Sequence, residues 1–116
     1  MNLLRFSAAA FVVLIGCNAT RKQECDQLLS AMKPLVRGAP SLELVDTANR
    51  AIAAVQFQDQ PLREYAASTK ATLSSLTETM RLLAGPTPPD GADDLVKTKL
   101  KEARAENDDV TRYCAE

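Results

Sequence analysis

The chain opens with an uninterrupted apolar run, Phe6 to Gly16, and only beyond Thr20 do apolar and polar positions begin to recur with a fixed period. The opening run falls well short of the roughly 20 apolar residues that a membrane-spanning helix needs. It has no polar face, which argues against a buried core helix. With Arg5 ahead of it and small residues at its end, residues 1–16 have the layout of a secretory signal.

Downstream the spacing is three and four, the signature of helices that bury one face. Cys25, Leu28, Leu29, Met32, Leu35 and Val36 predict a first helix after the polar stretch from Thr20 to Glu24. Pro34 removes one backbone donor near its end, and Gly38, Ala39 and Pro40 stop it. Ser41 is placed to cap a second helix, with Glu43 in its first turn and Leu42, Val45, Ala48, Ile52 and Val55 on its apolar face, ending near Phe57. A third helix starts with Asp59 as cap and Pro61 in the first turn; Leu62, Ala66, Thr69, Leu73, Leu76, Met80 and Leu83 form its heptad seam. The segment from Gly85 to Gly91 holds three prolines and predicts a connecting loop. Beyond it Val96, Leu100, Ala103, Asn107, Val110 and Cys114 form a fourth seam, with Asp90, Asp93 and Asp94 at its positive start.

Four amphipathic segments with short connections predict an all-α fold, a small antiparallel up-down helical bundle over residues 25–116. The third and fourth segments are longer than the first two, which leaves a three-helix packing open. Composition agrees with a helical fold: aromatics are 4% with no Trp, so packing must come from aliphatic side chains. A mature part of this size has a modest core, for which a covalent staple matters.

The formal net charge is −1 and acids and bases are interspersed, so no basic stripe exists for nucleic acid. The chain contains no His, which removes the commonest general base at neutral pH and the commonest metal ligand.

The apolar run ends in Leu14-Ile15-Gly16-Cys17, which resembles the lipobox of bacterial lipoproteins. The resemblance covers the signal segment alone. It implies that Cys17 receives a diacylglyceryl group on sulfur, that a peptidase cuts before it, and that the new amino group is acylated. Residues 17–24 would then be a lipidated tether, and Cys17 the link to membrane lipid. Asn18 in place of Asp favours, by the same resemblance, the outer membrane of the cell envelope. The competing expectation is ordinary cleavage after Ala19, which would release a soluble secreted protein. Two or three acyl chains hold a protein at a bilayer without measurable dissociation, whereas one binds marginally.

With Cys17 assigned to lipid, Cys25 and Cys114 remain as a pair for one disulfide in an oxidising compartment. An antiparallel pairing of the first and fourth helices would bring them together. Two unpaired buried thiols, or a redox or metal-binding pair, are the alternatives; no C-x-x-C motif supports the latter. The tether would set the disulfide end close to the bilayer, with Arg21 and Lys22 facing lipid phosphates.

Other residues offer little chemistry. Glu106, Asn107, Asp108 and Asp109 are consecutive on a helix and point around its axis, so they cannot converge on one cation, and no metal site is expected. The hydroxyls of the third helix lack an activating base. Thr87, Pro88, Pro89 and Asp90 form a loop that a proline-recognising partner could read, or a rigid connector. These readings lead to a non-enzymatic, membrane-anchored envelope lipoprotein that serves as a protein-interaction or structural module, with no cofactor beyond its lipid. A lipid-anchored carrier of a small apolar ligand is the alternative.

Overall fold

The computed structural model describes residues 20–116. The signal segment, Cys17 and the cut site after Ala19 lie outside the described residues. Helix α1 covers residues 20–32 and passes into a 3-10 turn at Lys33–Leu35. Helices α2 (Leu42–Ala53), α3 (Gln60–Leu83) and α4 (Ala92–Ala115) follow. No strand occurs among the described residues.

Local chemistry explains each boundary. Pro34 has no N–H to give to the ladder, and it sits in the 3-10 turn that closes α1. Gly38 then takes a φ of 69°, where a side chain would be strained, and turns the chain. The Ser41 hydroxyl accepts from the Leu44 N–H at 3.2 Å and caps α2. The Asp59 carboxylate accepts from the Leu62 N–H at 3.3 Å and caps α3, with Pro61 in the first turn. Gly91, at φ 82°, starts α4 ahead of Asp93 and Asp94.

Two expected boundaries move. Residues 20–24, assigned to the tether by their polarity, are already helix, and Glu24 in that stretch is buried. Helix α2 ends at Ala53 rather than near Phe57, because the ladder tightens to an i−3 bond from Val55 to Ile52. Phe57 nonetheless stays in the core, folded in from the connecting loop.

The arrangement is an antiparallel up-down bundle of four helices, which settles the count. Cys25 on α1 is bonded to Cys114 on α4, and Leu35 just past α1 receives a hydrogen bond from Arg104, so the two segments run in opposite directions. Helices α2 with α3, and α3 with α4, pack as consecutive hairpins. The core joins Leu28, Met32 and Leu35 to Val45, Ala48 and Ile52, and these to Leu62, Ala66, Leu73 and Leu76, with Ala103 and Val110 closing the side. Each fully buried aliphatic side chain contributes about 1.5 to 3 kcal/mol.

The helices are unequal. Helices α3 and α4 have 24 residues each, about 36 Å at 1.5 Å per residue, and α2 has 12, about 18 Å. Arg104, halfway along α4, holds the turn after α1: it donates from Nε to the Leu35 carbonyl at 3.0 Å and from its other donor to the Gly38 carbonyl. Val36, expected on the first stripe, lies past the 3-10 turn and is 38% exposed.

Candidate functional site

The densest polar wiring lies at the disulfide end, where α1, the α2–α3 loop and the end of α4 converge. Cys25 and Cys114 are bonded with their Cα atoms 5.9 Å apart. Cys25 is part of the core at 5% exposure, while Cys114 packs on the core's edge and stays partly open.

Immediately before Cys25 on α1, Glu24 is only 5% exposed and has no cationic partner among the described residues. Backbone amides take that role instead. Its Oε1 accepts from the N–H groups of Gln58 and Asp59, both at 3.0 Å, and its Oε2 accepts from Gln58 at 2.9 Å. The carboxylate thus satisfies donors at the start of α3, where the helix dipole is positive. It ties the beginning of α1 to the loop between α2 and α3.

Asp59 extends the network. Besides capping α3, its Oδ2 accepts from the Tyr113 hydroxyl at 2.7 Å. The Tyr113 ring stacks at a tilt on Tyr65, with centroids 5.9 Å apart, and the Arg21 guanidinium lies 4.4 Å from its centroid. Arg21 also donates to the Tyr113 carbonyl at 2.8 Å. The hydrogen bond to Asp59 raises the phenol pKa from its ordinary value; partial burial and the Asp59 charge add to this, and Arg21 opposes it. Arg21, expected to face lipid phosphates, is therefore committed to α4, whereas Lys22 beside it is exposed.

A second polar cluster lies between α3 and α4. Glu106, the first of the consecutive oxygen-bearing residues Glu106 to Asp109, is half-buried and its Oε1 accepts from Thr72 at 2.8 Å and Ser68 at 3.2 Å. Thr69, Thr72, Thr77 and Thr79 of α3 are buried. Only Thr69 among these lay on the expected seam, and its hydroxyl, like that of Thr77, has no protein partner. Asn107, expected to be a buried seam amide, is half-buried, and its carbonyl accepts from Thr111.

The loop residues Thr87, Pro88, Pro89 and Asp90 are all exposed at the end opposite the disulfide, and the Pro89 carbonyl accepts from the Ala92 N–H. They are far from Cys25 and Cys114 along both helices. No grouping of three or more Cys, Asp or Glu among the described residues could hold a metal ion. No helix of the described residues is long and apolar enough to cross a membrane.

Two surface clefts of similar size border α1. One, of about 530 Å³, lies along α1 and the end of α4, with the disulfide in its wall and Arg21, Lys22, Asp26 and Glu116 around it. The other, of about 550 Å³, lies between α1 and α2 and is lined by Gln23, Gln27 and Ser30 as well as Ala31, Ala51 and Val55. Both are open to solvent rather than enclosed.

No family model, curated protein or solved structure matches this chain.

Proposed function

We propose that this protein is a non-enzymatic envelope lipoprotein, anchored by acyl groups on Cys17, whose helical bundle binds another envelope protein. The observation that carries the reading is where the exposed large apolar residues lie among the described residues 20–116. Val36, Leu44, Leu82 and Leu95 are exposed, and all four belong to the segments away from the disulfide: the turn after α1, the first turn of α2, the last turn of α3 and the first turn of α4. The end that would face the bilayer is instead tied internally through Glu24, Asp59, Tyr113 and the disulfide. Apolar side chains at the outward end are the kind that become the buried centre of a protein interface. The clefts beside α1 lie open at the surface and do not enclose a ligand, which favours this module over a carrier of apolar ligands.

The test is affinity capture of the lipidated protein from detergent-solubilised membranes, with quantitative mass spectrometry of whatever it retains. A stoichiometric partner that is retained by the native protein and lost with Leu82→Asp and Leu95→Asp supports the reading. Reproducible absence of a stoichiometric partner, or retention that ignores both substitutions, contradicts it.

A further inference from the structure

Two sulfurs form one bond here, but they stand in different surroundings. Cys25 borders the same cleft as Cys114 but sits in the core on α1 and is only 5% exposed. Cys114 lies one residue before the end of α4, partly open to the cleft of about 530 Å³ that runs between α1 and α4. Thiol exchange requires a thiolate to touch the sulfur it attacks, so access decides which sulfur reacts first.

We propose that Cys114 is the site at which thiol–disulfide exchange begins, and that the cleft beside it admits a dithiol protein while Cys25 acts only as the leaving sulfur. A thiolate of the incoming dithiol forms a bond to the Cys114 sulfur. The Cys25–Cys114 bond breaks, and Cys25 leaves with the electron pair and takes a proton from water. The second thiol of the incoming molecule then attacks its own sulfur in the mixed disulfide, releasing Cys114 as a thiolate that is protonated in turn. One disulfide is reduced and one dithiol is oxidised. Run in reverse, the same sequence closes the bond from an oxidised dithiol protein, with Cys25 making the final attack.

Charge does not compete with access in selecting the sulfur. Arg21 and Lys22 on α1 attract an anionic thiolate, but Asp26 on the same helix and Glu116 at the end of α4 line the same cleft and offset them. The apolar enclosure of Cys25 disfavours its departure as a thiolate, so exchange is slow relative to an unfolded peptide. Ala115 lies on the cleft wall and is exposed, which makes it the position from which the approach can be obstructed without touching the core.

The test uses the full chain purified from membranes and a thioredoxin-like protein whose second active-site cysteine is serine, which traps the first adduct. After acid quenching and alkylation, peptide mapping locates the trapped protein. The expected adduct is on Cys114, in at least about tenfold excess over Cys25. Ala115→Phe, with an unchanged far-ultraviolet circular dichroism spectrum, is expected to slow its formation at least about threefold by obstruction. An adduct mainly on Cys25, an unaltered rate in the Ala115→Phe protein, or a rate that in urea well below the unfolding midpoint already tracks the unfolded fraction would overturn the proposal.

Discussion

Replacing Glu24 by Ala should destabilise the bundle more than any comparable change of an acidic residue on its surface. The carboxylate is 5% exposed and receives three contacts from two backbone N–H groups, those of Gln58 and Asp59. A hydrogen bond to a charged group contributes about 1.5 to 3 kcal/mol net, and a buried donor left without an acceptor costs about 1 to 3 kcal/mol. The two donors lie in a loop that water can partly re-enter, which places the loss at about 2 to 4 kcal/mol rather than at the sum. For a domain of this size, that corresponds to a fall in Tm of roughly 10 to 25 °C. Glu24→Gln keeps one acceptor oxygen but turns an amide N–H toward a backbone N–H, and should lose about half as much. Urea denaturation without reductant, followed by circular dichroism, measures both variants. An unchanged m-value with a lower midpoint would assign the effect to stability. A loss for Glu24→Ala below about 0.5 kcal/mol, the size of an ordinary surface change, would refute the assignment of Glu24 as the anchor of the α2–α3 loop.

Three further outcomes follow from the same geometry. Replacing Cys25 and Cys114 together by Ala opens a loop spanning 89 positions, for which chain entropy gives about 4 to 5 kcal/mol as an upper value; denaturation midpoints should fall correspondingly, with the helical spectrum of the folded state retained. Gly91→Ala places a side chain at φ 82°, where there is open space but an unfavourable backbone, and should cost about 1 to 2 kcal/mol in the same assay. Tyr113 has a raised pKa in the folded state, so above its ordinary value of about 10 the unfolded chain loses the proton first and stability falls with rising pH until the folded phenol ionises too. Tyr113→Phe should remove that part of the alkaline loss, measured as the difference between the two proteins' midpoints from about pH 8 to pH 11; parallel curves would contradict it.

The fold was legible because its determinants are periodic and local. Ser41, Asp59 and Pro61 stand where capping chemistry needs them, and the seam residues Leu62, Ala66, Leu73 and Leu76 are buried as their spacing implies. The pairing of Cys25 with Cys114 followed from antiparallel order once the third cysteine was set aside. What could not be read was long-range polar pairing. Glu24, Glu106 and Arg104 look like solvated charges in sequence, because their partners are backbone groups or hydroxyls 34 to 69 residues away. A carboxylate that binds amides leaves no complementary charge to search for. Thr72, Thr77 and Thr79 were likewise hidden, since their burial arises from α3 being covered by both α2 and α4, a wider contact than one heptad seam. The helix at residues 20–24 carries no sequence signal for the same reason: its polar residues are held by Asp59's loop and by Tyr113, not by an apolar stripe.

One measurement addresses both the proposed lipid anchor at Cys17 and the closure of the last helix by Cys114. Intact mass of the protein purified from membranes, taken before and after reduction, should correspond to a chain that begins at Cys17 carrying a diacylglyceryl and an N-acyl group and that gains two hydrogens when Cys25 and Cys114 are reduced. A mass equal to the bare polypeptide from Thr20 onward, recovered from the soluble fraction, would contradict it.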